Sequence, residues 1–453
     1  MSVADIVILN ISLASKATTQ AGFGRPLLLS CEAPFAGRTK LYSSQTGLTD
    51  MVTDGFSNTG KTYQDVQAIL SQKPCPPDFK IGRRALKFTK IVNLIPTVTT
   101  QGFVYSGTIN GIAWTYTVIA AATVATISTA LATLIGGLSA GVTASGASTT
   151  WCALTGTATG KPIMLDALTP ELQVADVTTD PGIATDMAAI VAADTDWFGV
   201  LIDSNSKAEI MALAAFLETQ RKIFFSTSAD YAVTDPASTT DVLYSMKALS
   251  EFNSAVFSHQ DADGQLAAAV MGSFLTTTPG AATVAHLNVI GVPPSDVAPN
   301  GTMWRTEAQV QAVWNKNGNT YQTVGSQGDT YPGKVVGGDF IDNVRFIHFL
   351  YSRIQSTFID LVQGLANQGS KLPMTDKGIS KAVNTLLNLL NGYCKAPYNA
   401  LDPTPANAPA VTAPALADIS TADRAARKLP NIQFGARLQG AIHLFQITGV
   451  VTV

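Results

Sequence analysis

The stretch that decides the fold is residues 196–225, DWFGVLIDSNSKAEIMALAAFLETQRKIFF. Its first part, WFGVLID, is an unbroken apolar run of the kind needed by a strand buried on both faces. Ser204 or Ser206 then offers a helix cap, and Ile210, Leu213, Ala214 and Leu217 recur at the spacing of one helical face. The alternation continues. KIFFSTS reads as a second strand, DVLYSMKALSEF as a helix, SAVFSH as a strand and QLAAAVMGSFL as a helix. Strands alternating with helices of this length require a parallel sheet with crossover helices, so the middle of the chain is expected to be α/β.

The rest of the chain must hold more than this one sheet, because 453 residues are enough for two or three domains with their own cores. Hydrophobic residues make up 46% and charged residues 13%, so the surface relies on Thr, Ser, Asn, Gln and Gly and is poorly protected against self-association. A net charge of −3 gives no reason to expect nucleic acid or an acidic membrane as a partner. The opening MSVADIVILN has no cationic segment before its apolar run and no cleavage pattern, so no secretory signal is read there. Cys31, Cys75, Cys152 and Cys394 lie far apart with no C-x-x-C pair, which suits buried thiols in a reducing compartment rather than a zinc site or disulfide framework.

From 91 to 160 there is no Asp, Glu, Lys or Arg, and VIAAATVATISTALATLIGGL within it is long enough to cross a bilayer. It is built of Ala and Thr, however, with few large apolar residues and no basic anchors at its ends. The alternative takes TINGIAWTYTV as a strand, 126–135 as a short helix ended by Gly136 and Gly137, and VTAS and TTWCALTGTA as further strands, giving a small uncharged β-rich insertion.

Two constellations could carry chemistry. The carboxyl ends of the parallel strands supply Asp203, Asp230, His259, Asp261 and Asp263, which could bind Mg²⁺ or Mn²⁺; equally, these are the cap and loop residues that βα turns ordinarily contain. GFSNTGKT, residues 55–62, satisfies the phosphate-loop pattern through Gly55, Gly60, Lys61 and Thr62. Taken alone it points to an ATPase. Its context argues otherwise, since TGLTDMVTD before it is polar rather than a buried strand and places Asp50 and Asp54 where they would repel phosphate. The helix after it carries Tyr63, Val66, Ile69 and Leu70 on one face and is stopped by Pro74, Pro76 and Pro77.

The terminal segments are strand-like. In ARLQGAIHLFQITGVVTV, residues 436–453, Leu438, Ile442 and Leu444 share one parity with Gly440 between them, while Arg437, Gln439 and His443 take the other. The alternation slips at Phe445 and resumes through Ile447 on the opposite parity, as at a bulge or a junction of strands. Near the other end Val7, Leu9, Ile11 and Leu13 alternate in the same way, followed by the polar tether SKATTQAGFGR. Such strands either fold into their own domain or satisfy their main-chain groups on a neighbour's sheet edge. DPTPANAPAVTAPALADIS, residues 402–420, reads as an extended surface linker. Basic residues cluster at Lys80, Arg83, Arg84, Lys87 and Lys90, and again at Arg424, Arg427 and Lys428. These are solvated faces or, in an array, partners for acidic residues such as Asp186, Asp194 and Asp196 on neighbours. The chain as a whole is acidic, so nucleic acid is not expected.

The run DGFSNTGKTYQDVQAILSQKPCPPDFKIGR resembles a segment of bacteriophage contractile-tail sheath proteins: an acidic and aromatic turn, a Tyr-bearing helix, a Pro-rich break and a strand ending in Gly-Arg. The resemblance continues, in the family's order, through DWFGVLIDSNSKAEIMALAAFLETQRKIFF, GGDFIDNVRFIHFLYSRIQ, KLPMTDKGI and DRAARKLPNIQFGARLQGAIHLFQITGVV. It implies a mixed α/β subunit of several domains: an N-terminal arm (1–30), an outer α/β domain (31–96 and 178–299), a β-rich insertion (97–177), an inner tube-facing domain (300–435) and a C-terminal strand arm (436–453). It further implies a non-enzymatic polymer of identical copies, with strands exchanged through Val7, Leu9, Ile11, Leu13, Leu438, Ile442, His443, Leu444, Phe445 and Ile447. The expected partners are the tail tube, baseplate and tail terminator proteins, without nucleic acid or membrane insertion. The expected location is the virion, after assembly in the host cytoplasm. No cofactor or metal is implied, and the GKT match becomes incidental.

Overall fold

Every position of Gly199–Ile202, Ile223–Ser228 and Ser254–Ser258 is buried, and segments with no polar face need cover on both sides. The computed structural model accordingly places these three strands side by side and parallel, with Val200 opposite Phe224 and Phe225 opposite Ala255. It describes residues 23–85, 91–109, 112–138, 140–146, 148–156, 163, 165–166, 168–176, 181–260, 264–295 and 305–444. The chain is a mixed α/β protein of several sheets and divides into two compact units, one formed by Met1–Pro26, Ala68–Pro76 and Asp196–Val453 and the other by Leu27–Gln67 and Pro77–Thr195.

In the first unit the crossover helices follow the expected pattern. Lys207–Glu218 buries Ile210, Leu213, Ala214 and Leu217, and Val242–Ala248 starts where the Asp241 carboxylate accepts the Tyr244 amide at 2.9 Å. Leu266–Phe274 is buried along nearly its whole length. Its close packing depends on small residues, because a Cβ on Gly272 would lie 2.6 Å from the carbonyl oxygen of Ile69. The helix ends on Arg345, which is 1% exposed and donates to the carbonyl oxygens of Phe274, Leu275 and Thr277 at 2.7–2.9 Å. The Phe274 carbonyl also accepts from the Thr277 amide and hydroxyl, so the guanidinium adds further donors at and just past the helix end and a favourable charge at the negative end of the dipole. Burial pulls the Arg345 pKa down to about 9.

Beyond the sheet, helix Glu307–Asn315 opens on a reciprocal capping box between Thr306 and Gln309, and strands Thr320–Val324 and Gln327–Tyr331 form an antiparallel hairpin. Helix Ile341–Asn367 then packs with Asp376–Tyr393 through Phe346, Phe349, Leu350 and Ile354 on one side and Leu386, Leu390 and Tyr393 on the other. No helix among the described residues is long and apolar enough to cross a membrane.

The second unit contains Pro26–Ser30, Asp78–Arg83 and Thr39–Ser43, with the first pair parallel and the second antiparallel. It also contains the uncharged β-rich region. Strands Leu172–Asp176, Ile91–Pro96, Cys152–Gly156 and Val142–Ser145 make one antiparallel sheet, and Ile112–Thr117, Val104–Ile109 and Leu165–Asp166 make another. The segment long enough to span a bilayer instead holds the helix Val124–Gly136, whose Ile127, Leu131 and Ile135 join Val92, Tyr105, Trp114 and Leu154 in one core. Each such side chain contributes about 1.5–3 kcal/mol on leaving water for this core.

Several expectations change. The TINGIAWTYTV strand is two strands of a hairpin, Val104–Ile109 and Ile112–Thr117. The 402–420 stretch is not merely a linker, because Ala410–Thr412 within it pairs with Gln433–Gly435. The acidic residues assigned to neighbours are engaged within the chain. Asp194 pairs with Lys80 and Asp186 with Arg38 at 2.9 Å in the second unit, while Asp196 pairs with Arg25 in the first. Asp186 is fully buried, a position where a carboxylate requires cations close by. Lys87 and Lys90 lie outside the described residues.

Candidate functional site

The two-stranded sheet at the end of the first unit is the natural starting point, since a sheet of two strands is marginal in water unless something packs on it. Val411 and Phe434, directly opposite each other, are half-buried and rest on the core of the long helix pair; Ala410, Thr412, Gln433 and Gly435 are exposed. Among the described residues no third strand joins this sheet, so within them its outer N–H and C=O groups form open edges.

From Ala436 the chain runs back over its own domain as a strap. Leu438 is half-buried and bridges to Leu401, the Gln439 amide donates to the Ala400 carbonyl at 2.9 Å, and the Asp402 amide donates to the Arg437 carbonyl at 2.8 Å. Gly440 then takes φ +61°, a conformation glycine adopts without cost, and the strand-like alternation ends there. As a result Leu438 faces the core, whereas Ile442 is 73% and Leu444 78% exposed, so the three do not share a face as the sequence parity suggests. His443 turns inward, with Nε2 3.1 Å from Thr283 Oγ1 and its ring edge-on to Phe340 at 4.9 Å between centroids.

A cleft of about 360 Å³ lies beside the strap, lined by Leu438–Ala441, the Gly280–Thr283 loop, Tyr398 and the start of the long helix at Asp342 and Phe346. Burial, with the nearby Asp339 carboxylate adding to it, raises the Asp342 carboxyl pKa to about 6. Phe445 and Ile447, and Val7, Leu9, Ile11 and Leu13, lie outside the described residues. The sequence reading missed Thr283 and His286, which touch the strap, and the partner strand Ala410–Thr412. Only the β-branched Val411 and Thr412 within a Pro-rich stretch hinted at the strand.

The phosphate-loop match has a different structure from the one the pattern needs. Gly55 terminates a helix, Gly47–Asp54, with φ +108°, so no strand leads into the loop. Gly60 precedes the helix Lys61–Leu70, whose first amides would be the phosphate cradle. They already serve an internal carboxylate: Lys61 N donates to Glu32 Oε1 at 3.2 Å and Thr62 N to Glu32 Oε2 at 3.0 Å. Lys61 Nζ binds Asp65 at 2.9 Å, and Thr62 Oγ1 lies 2.6 Å from Ser30 Oγ with no exposure. A phosphate would have to displace Glu32 from the amides and Asp65 from the lysine. The arrangement is a capped helix start.

The strand-end residues do not assemble either. Asp230 caps the short turn Tyr231–Thr234 by accepting the Ala232 amide at 2.9 Å, and His259, fully buried, places Nε2 3.0 Å from the Pro293 carbonyl. Asp203 lies just past the strand Gly199–Ile202, and Asp261 and Asp263 are outside the described residues. Among the described residues no group of three or more His, Cys, Asp or Glu side chains could hold a metal ion. Cys31 and Cys152 are buried thiols, Cys75 and Cys394 half-buried ones, and burial pushes the Cys152 thiol up to about 12.

No protein-family model matches the chain, and no curated protein matches it. Among solved structures, a sheath tail protein from Desulfitobacterium hafniense is similar to it over 89% of this chain and 93% of that one, with 12% sequence identity and a TM-score of 0.45. A likeness at that level does not assign a function.

Proposed function

We propose that the chain is a structural subunit of a bacteriophage contractile tail sheath, polymerising around a tail tube by exchanging terminal strands between copies. The observation that carries this reading is the conjunction at the C-terminal end: an unfinished two-stranded sheet, and a strap that leaves it with Ile442 and Leu444 in solvent. Soluble proteins ordinarily guard such edges with Lys, Pro or covering loops, yet Ala410–Thr412 and Gln433–Gly435 carry no charge. An incoming strand making about six backbone bonds at roughly 1 kcal/mol each contributes about 5 kcal/mol before its ordering cost. The sequence segments that resemble sheath proteins support the same reading. So does the sparsely charged surface, which offers little resistance to association.

In this account the exchange uses Val7, Leu9, Ile11 and Leu13 at one end and Leu438, Ile442, His443, Leu444, Phe445 and Ile447 at the other. The tube, baseplate and terminator proteins are the other partners, and the virion is the location. Contraction is a rigid-body rearrangement in which the exchanged arms hold neighbours together. No nucleotide is needed, because an extended, metastable assembly stores the free energy. Removing residues 438–453 tests the proposal: the truncated subunit is expected to stay soluble and fail to polymerise, and normal assembly by it would refute strand exchange at this end.

A further inference from the structure

His286 faces two acceptors at once. Its Nδ1 lies 3.0 and 3.2 Å from the two carboxylate oxygens of Asp329 in the hairpin strand Gln327–Tyr331, and its Nε2 lies 3.2 Å from the carbonyl oxygen of His443 in the strap. A neutral imidazole carries a single N–H, so it satisfies one of these acceptors and turns a lone pair towards the other; the imidazolium donates to both. We infer that His286 is a proton-operated clasp, which ties the C-terminal strap to the hairpin when it is doubly protonated and releases it when neutral. The clasp belongs to a single subunit and stands or falls independently of the assembly proposed above.

Other charged and titratable groups lie close by. His286 also meets the Tyr331 ring at 5.7 Å and the His443 ring at 6.0 Å. His443 is flanked by Thr283 and by Phe340, over whose ring Lys334 Nζ sits at 5.6 Å; Asp339 and Asp342 lie at the start of the neighbouring helix. Burial, together with the nearby His286, lowers the His443 pKa, so this ring favours the docked strap only while neutral. Its contribution is complete above the ordinary imidazole range and fades as pH falls through it. Asp342 works in the opposite sense. Its raised pKa of about 6 means that the cleft accommodates the neutral acid, a contribution lost as pH rises through about 6. Asp342 acts with His286, and His443 opposes them both. Protonation of His286 therefore tightens the strap, and protonation of His443 beside it loosens it again.

Hydrogen exchange of the Gln439 and Asp402 amides, which bond across the strap, reads its closure directly. With intrinsic rates corrected, protection of the full chain is expected to rise several-fold as pH falls from about 8 to about 5.5. In His286→Asn, whose side chain tolerates the φ of +64° at this position, the rise shrinks to the part that Asp342 supplies. Asp342→Asn retains the part due to the clasp. Flat or falling wild-type protection over this interval would overturn the clasp, and so would a full rise in His286→Asn.

Discussion

Replacing Ile442 and Leu444 together by Asp separates the subunit's own stability from its assembly. In the subunit both side chains stand in solvent, at 73% and 78% exposure, so the change should leave thermal unfolding within about 0.5 kcal/mol of the parent, the usual range for surface substitutions. If the two side chains are buried when the strap pairs with another copy, each forfeits about 1.5–3 kcal/mol of burial. The sum of about 3–6 kcal/mol corresponds to a loss of roughly 10²–10⁴ in association. The assay is sedimentation of polymer against soluble subunit over a concentration series, with differential scanning calorimetry on the subunit fraction. The expected result is an unchanged melting temperature and a critical concentration raised at least a hundredfold. An unchanged critical concentration would refute the reasoning, and a melting temperature lowered by many degrees would place these side chains in the subunit's own core instead.

Lys61→Ala should change neither nucleotide binding, which equilibrium dialysis should find absent in both proteins, nor assembly. Glu32→Ala, which removes the carboxylate from the Lys61 and Thr62 amides, should cost about 1 kcal/mol in urea unfolding, as loss of a helix cap does. Arg345→Met should cost about 3–5 kcal/mol by the same measurement, because it takes the guanidinium donors from the Leu275 and Thr277 carbonyls just past the helix Leu266–Phe274. Burial and the neighbouring Glu218 raise the Glu251 pKa to about 7, so its contribution to stability is full below its unfolded pKa and is lost as pH rises through about 7. Glu251→Gln should therefore stabilise the protein at pH 8, by on the order of 3 kcal/mol, and change it little at pH 5, as unfolding curves at the two pH values will show.

The parallel sheet was legible because burial on both faces leaves an unmistakable apolar run, and the helix 207–218 because its inward residues keep strict helical spacing. The β-rich region could be read from Thr and Val content once a membrane span was set aside, although the pairing of Val104–Ile109 with Ile112–Thr117 was hidden inside an apparently continuous strand. What the sequence could not show depends on contacts between distant residues. Parity placed Leu438 with Ile442, but a single glycine in the left-handed region separates them. Asp186, Asp194 and Asp196 look like surface charge until Arg38, Lys80 and Arg25 are brought to them by the fold. The phosphate-loop pattern was rightly suspect from its polar approach. The decisive reason, Glu32 on the helix amides, lies about thirty residues earlier, where no motif would search for it.

The central claim concerns where the terminal segments find their main-chain partners. Electron cryomicroscopy of the purified chain at high concentration tests it most directly. Hollow tubes are expected, in which residues from 436 onwards of one copy lie along the open edge of Ala410–Thr412 or Gln433–Gly435 in another. Discrete monomers, or tubes in which both ends of each copy pair only within that copy, would contradict it.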